Sequence, residues 1–270
     1  MSQFAEAATD LDGRFWRSLR ALMLQPGRIA ADYMLGRRAH WMSPLSLFLF
    51  ANVLFFFAPG LTDLTLGLEQ QVPERVLREF RTIDQQQSNR TYGEQMHNVV
   101  TAPLARQAIR RAQARSEAAG RPFDLEKFAT RYHAQSDSIG KLLVIVHVPG
   151  IALVLMLATW RKRRYYAEHF VLALSLVAFT LLFVQLVVHP SAWLYQWAMA
   201  AVGSPRGMPA YVAWLLVAIN VAYFSAACRR CYGGGWILAL VRGFCAFAAL
   251  GVSSLFFYRG LQLLITLWTM

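Results

Sequence analysis

Carboxylates run out early in this chain. Beyond Asp137 the sequence holds a single acid, Glu168. Cysteine is scarce as well, with three in all at Cys228, Cys231 and Cys245. An odd, small number makes no disulfide framework. Cys228-Arg229-Arg230-Cys231 is a lone CxxC, which offers two ligands where a zinc ion takes about four. No P-loop, nucleophile elbow, HExxH or dinucleotide fingerprint is present. The chain therefore reads as a non-enzyme, with no cofactor and no metal. "MSQFAEAATDLDGRF" carries acids and lacks an apolar core, so it does not read as a secretory signal peptide. Insertion into a bilayer is expected to use the first apolar segment. No internal repeat supports an inverted-repeat transporter.

What the chain has is long apolar runs, and 56% of its 270 residues are hydrophobic. The runs lack the periodicity of a soluble core and match membrane spans in length. The reading is all-α and polytopic, with about five transmembrane helices. A cytoplasmic amphipathic segment, 1–42, precedes the first span at 43–61. A helical extracytoplasmic loop covers 62–140. Further spans follow at 141–160, 167–188 and 209–228. A long final helix, 235–268, is either one bent span or an interfacial helix and a span.

Lys and Arg number 27 against 15 Asp and Glu, a net charge of +12. That balance suits nucleic acid in principle. The cations, however, sit beside the apolar runs, as "RKRR" at 161–164 does, so anionic headgroups are the expected partner and nucleic acid is not. Arg14, Arg17, Arg20, Arg28, Arg37 and Arg38, then 161–164, then Arg229 and Arg230 fall on one face of a five-span chain. The opposite short loop, 189–208, has only Arg206. This places the N-terminus on the cytoplasmic side and the C-terminus on the opposite one.

In the long loop, Pro73 opens a helical pattern of Val76, Leu77, Phe80 and Ile83. "APLARQAIRRAQARSEAAG" reads as a helix with Gly120 as its C-cap. Phe123, Leu125, Phe128 and Tyr132 mark a third. Their apolar faces are thin, which suggests packing on the membrane or on a partner. "NRT" at 89–91 matches a glycosylation sequon. In "RFWRSLRALML", Phe15, Trp16, Leu19, Leu22 and Met23 share a face opposite Arg14, Arg17, Ser18 and Arg20. This basic amphipathic helix suits a lipid interface, with Arg14, Trp16, Arg17 and Arg20 as the lipid-contact candidates. The plainer reading packs it on the protein's own loops.

The other candidates are polar groups in or beside spans. Tyr166, Glu168, His169 and Arg242 form the candidate functional cluster. Glu168 is spaced to pair with Arg164, His169 to share the hydroxyl of Tyr165, and Arg242 to reach Glu168 at long range. The plainer reading is an anchor at the interface. His147 and His189 fall at similar depth but make a poor metal site alone. Gln185, Asn52 and Asn220 read as helix-bridging groups. "YGGGW" at 232–236 reads as a hinge.

The order Arg20, Pro26-Gly27, Tyr33, Gly36-Arg37-Arg38, Trp41, Pro44 and then a Phe/Leu-rich span resembles an uncharacterised bacterial family of multi-pass inner-membrane proteins, domain-of-unknown-function family 3667. Tyr166, Glu168, His169 and Phe170, with Pro149, Arg230, Tyr232 and Gly233, are similar to later features of that family. The resemblance implies a multi-pass inner-membrane protein and no assigned activity. Members often begin with a zinc ribbon. No pair of CxxC motifs precedes the first span here, so no role tied to that metal carries over.

The leading expectation is a non-enzymatic envelope component or scaffold contacting anionic lipid, with a membrane-protein partner or a second copy of itself. A small-solute or ion transporter working as an oligomer is the first alternative. An enzyme acting on lipid headgroups at Glu168-His169 is the second.

Overall fold

The computed structural model describes residues 2–57, 68, 72, 76–77, 79–80, 98–162, 164–201 and 210–269. Pro73, Ile83, the sequon at 89–91 and Arg206 lie outside the described residues. Among those described, all regular structure is helical. The α-helices are α1 (Ser2–Leu24), α2 (Arg28–Met34), α3 (Pro44–Phe57), α4 (Asn98–Ala118), α5 (Leu125–Leu143) and α6 (His147–Ala158). They continue with α7 (Tyr166–Phe183), α8 (His189–Ala201), α9 (Ala210–Tyr232), α10 (Trp236–Val252) and α11 (Arg259–Thr269). The chain divides into two compact units, 1–61 with 147–251, and 62–146 with 252–270.

In the first unit α7 is the central helix. Its residues from Leu172 to Phe183 are nearly all buried, whichever way they face. A helix apolar on every side has to be surrounded, and α1, α2, α3, α6 and α9 all pack on it. Phe179 stacks on Tyr223 of α9, with centroids 3.4 Å apart. On the same pair of helices Thr180 Oγ1 lies 3.5 Å from Asn220 Oδ1, so Asn220 bridges helices as its polarity suggested.

Two prolines shape the helices beyond their sequence-based bounds. The apolar run at 141–160 is broken by a 3-10 turn, Val144–Val146, ahead of α6. Pro149 lacks an N–H, and its ring collides with the carbonyl of Ile145 in a regular α-helix, so the turn before it leaves that register. Pro190 raises the same conflict with Leu186. There the chain widens into a π-helical turn, Val184–Val188, and continues helical to Ala201. Part of the expected outer loop 189–208 is thus helix, since the π turn accommodates the proline.

Among the described residues Tyr166–Ala201 is long and apolar enough to cross a membrane, and up to three such elements exist if each bent helix pair is one span. The first apolar segment, Pro44–Phe56, is shorter than that. One bent pair is Trp214–Tyr232 with Trp236–Val252, at 118°. Its hinge is the expected glycine run, with Gly233 at φ 65° and Gly234 at φ 99°. Only glycine takes these values without strain. Below the hinge α9 and α10 approach closely at Gly243, where a Cβ would stand 2.5 Å from the backbone nitrogen of Ser225.

The second unit has its own core. Ala102, Ala105 and Ile109 of α4 meet Leu68, Val72, Val76 and Leu77, with Tyr132 of α5 and Leu263 of α11. Helix α4 ends as its sequence implies. Gly120 takes φ 66°, and the Gly120 and Arg121 N–H groups return to the carbonyls of Glu117 and Ser116. Asp124 then caps α5 by accepting from the Glu126 and Lys127 N–H groups.

Candidate functional site

The first unit gathers its polar side chains where α7 and α10 begin and α9 ends. Tyr232 is the hub. It is the last residue of α9, it is buried, and the glycine hinge follows it. Its hydroxyl lies 2.7 Å from His169 Nδ1. The hydroxyl donates when the imidazole proton is on Nε2 and accepts when it is on Nδ1. Its carbonyl accepts from Lys162 Nζ at 2.6 Å. Arg164 and Arg242 each bring a guanidinium to 5.9 Å from its ring, within reach of a cation–π attraction.

The expected cluster is partly assembled. Glu168 accepts from Arg164 Nη1 at 2.7 Å, as their i, i+4 spacing predicts. Arg242 is buried, donates to the carbonyl of Gly233 at 3.2 Å, and approaches Glu168 only through the ring that it shares with Arg164. Its Nε has no hydrogen-bond partner among the described residues. His169 takes Tyr232 as its partner. The expected partner, Tyr165, is 80% exposed and turned out of the core. Tyr166 stands apart from the cluster and donates to the carbonyl of Pro149 at 3.1 Å.

A second set of contacts fixes the N-terminal block. Gly27, at φ 70°, lies against α9 so closely that a Cβ would stand 2.7 Å from the Cα of Ala227. Around it Arg230 donates to the Pro26 carbonyl at 2.9 Å, Cys231 Sγ to the Gly27 carbonyl at 3.5 Å, and the Tyr223 hydroxyl to the Leu22 carbonyl. Asp32 accepts from Trp41 Nε1 at 2.9 Å and lies 3.9 Å from Arg37. Arg28 covers the Trp41 ring, and Arg38 covers that of Tyr33. Burial pushes the Tyr33 hydroxyl above its usual range, against the opposing pull of Arg38.

Helix α1 is amphipathic, with a face slightly different from the expected one. Ala21 and Leu22 are buried, and Phe15 meets Phe50 edge-on. Ser18, expected on the polar side, is buried and accepts from the Met42 N–H at 2.9 Å. Trp16, expected on the apolar side, is 65% exposed. It shares the outer face with Arg17 and Arg20, whereas Arg14, though exposed, heads the stripe of the buried Ser18 and Ala21.

The remaining candidates stay separate. His189 lies 3.3 Å from Gln185 on its own helical run, and its ring faces Phe55. His147 is buried at the start of α6. Cys228 and Cys231 are buried side by side on α9. Among the described residues no group of three or more His, Cys, Asp or Glu is placed to hold a metal ion.

Sequence reasoning passed over Asp32, counted Lys162 only within the cation run, put Ser18 on the polar face, and named Tyr232 only in the hinge and in a family feature. One signal was available for Tyr232. A tyrosine directly before a glycine hinge has its ring at a fixed helix end, where neighbouring termini converge.

Residues 12–56 match the model of a family described as "Protein of unknown function (DUF3667)". The matched segment runs from α1 through α3, so it contains Gly27, Asp32 and Trp41. Tyr166, Glu168, His169 and Tyr232 lie beyond it. No curated protein and no solved structure matches the chain.

Proposed function

We propose that this chain, a member of the DUF3667 family by its N-terminal block, is a multi-pass inner-membrane protein that works as a non-enzymatic scaffold and holds anionic lipid at its cytoplasmic face. About five spans and a cytoplasmic N-terminus belong to this reading. So does a membrane-protein partner or a second copy of the chain.

Membrane residence is supported by Tyr166–Ala201 and by the large apolar side chains left bare on neighbouring helices. Trp193 and Trp197 of α8, Trp214 of α9 and Ile237 of α10 are each more than half exposed. A non-enzymatic role is supported by how the polar cluster is used. The phenol, imidazole, carboxylate and ammonium around Tyr232 all hold partners within the chain, so the cluster ties helix ends together.

The observation that carries the lipid part is the outer face of α1. Its inner face is committed to the protein, while Trp16 stands exposed beside Arg17 and Arg20. An indole beside cations is the composition of an interfacial anchor. A cation near an anionic surface is worth about 1 kcal/mol, so reversing Arg17 and Arg20 lowers affinity by roughly 30-fold or more.

The test is native mass spectrometry of the full chain released from membranes of phosphatidylglycerol and phosphatidylethanolamine. The variant Arg17→Glu/Arg20→Glu is expected to lose retained phosphatidylglycerol selectively. Unchanged retention removes the lipid part of the reading. Orientation is tested with Ser2→Cys and a membrane-impermeant maleimide. Labelling in intact cells, before lysis, overturns a cytoplasmic N-terminus.

A further inference from the structure

The second unit holds a groove with a volume of 1660 Å³, bounded by α4, α5 and α11. Small-molecule sites run to roughly 300–1,000 Å³, so this space is sized for something longer. Its origin is visible in the sequence. Leu104, Ala108, Ala112 and Arg115 line the groove from one stripe of α4, and Arg131 and Ala134 line it from α5. The alanines stand where larger side chains would close the gap. Along α4 the lining runs for about 16 Å, at the helix rise per residue.

The lining divides by chemistry. Leu104 and Leu264 are each 38% exposed, and Trp268 is 87% exposed, leaving an apolar floor open. The cationic part of the same lining is Arg111, Arg115, Arg121, Lys127 and Arg131. Asp124 is the only acid among the lining residues. It is already engaged, as the cap of α5 and as the partner of Lys127 at 3.5 Å. Among the described residues Arg111, Arg115, Arg121 and Arg131 have no carboxylate partner. On the same helix, by contrast, Arg106 and Arg110 share Glu79.

We propose that this groove binds an anionic amphiphile, with the acyl chain on the Leu104–Leu264–Trp268 floor and a phosphate or carboxylate among the arginines. Charge complementarity selects the occupant. A neutral chain leaves four guanidiniums crowded without a counter-charge, and a soluble anion leaves the apolar floor wet. The site is separate from the outer face of α1 and stands or falls without it.

The test uses the full chain in phosphatidylcholine nanodiscs. Three photoreactive probes carry a diazirine in the acyl chain: free palmitate, phosphatidylglycerol and phosphatidylcholine. Labelled residues are mapped by peptide mass spectrometry. Labelling by an anionic probe is expected on α4, α5 and α11, with phosphatidylcholine at least tenfold weaker. Palmitate alone would identify a free fatty acid as the source, and phosphatidylglycerol alone a membrane phospholipid. Arg111→Glu/Arg115→Glu/Arg131→Glu is expected to cut labelling at least tenfold. Ala112→Trp, which fills the groove and keeps its charge, is expected to do the same. Ala108→Leu replaces it if the folded yield falls. Equal labelling by phosphatidylcholine overturns the proposal. So does labelling that survives the filled groove, since the charge would then act without the cavity.

Discussion

The Tyr232 cluster of the first unit and the groove of the second use arginine in opposite ways. In the first, Arg164, Arg230 and Arg242 each hold a named group of the same unit: Glu168, the Pro26 carbonyl and the Gly233 carbonyl. In the second, four arginines surround a groove with no carboxylate to meet them among the described residues. A cation with an internal partner ties elements together. A cation held near others of its sign, over exposed apolar surface, is kept for something outside the chain. The difference follows from the supply of acids and from side-chain size. Scarce acids in the first unit leave backbone carbonyls as partners, while alanines in the second hold space open.

The largest contrast is expected from two glycines with nearly the same backbone. Gly27 has φ 70° with Ala227 against it, while Gly120 has φ 66° and open space where a Cβ would stand. Gly120→Ala should cost only the left-handed strain, about 1–2 kcal/mol. Gly27→Val adds overlap with α9 and should cost about 2–6 kcal/mol. Thermal unfolding of the two variants in the same detergent measures the gap. Equal shifts would mean that α9 does not constrain the N-terminal block.

Next in size is Tyr232→Phe, which keeps the ring under both guanidiniums and removes the hydroxyl that partners His169. A buried group left without its partner costs about 1–3 kcal/mol. Tyr166→Phe breaks the bond to the Pro149 carbonyl, at a residue 41% exposed where water takes over. Its smaller shift is the reference. A larger effect at Tyr166 would move the centre of the site from Tyr232 to the junction of α6 and α7.

These residues show how far the sequence could be read. The helical class, the glycine hinge, the Glu168–Arg164 pair and the cap at Gly120 follow from composition and local spacing, and each is present. His169 was assigned to Tyr165 because both lie on one helical stripe. Its real partner is 63 positions away, and no periodicity reports that distance. The same limit applies to Ser18 and Met42. The Pro149 and Pro190 distortions were readable in kind, since a proline disturbs the turn before it. Whether the chain stops or changes pitch depends on the packing around it. The groove was invisible because an alanine stripe reads as helix propensity alike in a packed face and an open one.

A smaller contrast separates Arg164→Gln from Arg115→Glu. The first strands Glu168, whose side chain is 25% exposed, and should lower stability by about 1–2 kcal/mol. The second alters a side chain with no carboxylate partner among the described residues and should stay within about 0.5 kcal/mol of the parent. Thermal shifts of the two proteins at neutral pH decide this. A loss at Arg115 equal to that at Arg164 would show that the groove arginines hold the fold.

The smallest effect concerns the one acid of the groove. The Lys127 N–H above all holds the Asp124 carboxyl below its usual value of 3.8, against the opposing effect of burial and with help from the Glu126 N–H and the Lys127 ammonium. A carboxyl with a depressed folded pKa binds fewer protons folded than unfolded. Its contribution is therefore complete above 3.8 and is lost as pH falls through the lower folded value. Amide chemical shifts of Glu126 and Lys127 should titrate with a midpoint under 3.8. In Asp124→Asn the side-chain oxygen still accepts both bonds, so the shifts should stay flat over the same range. That variant leaves the groove without an acid, and anionic probes should bind at least as well as to the parent. Weaker binding would mean that Asp124 orients Lys127 toward the ligand, which makes the acid a positioning residue of the groove as well as the cap of α5.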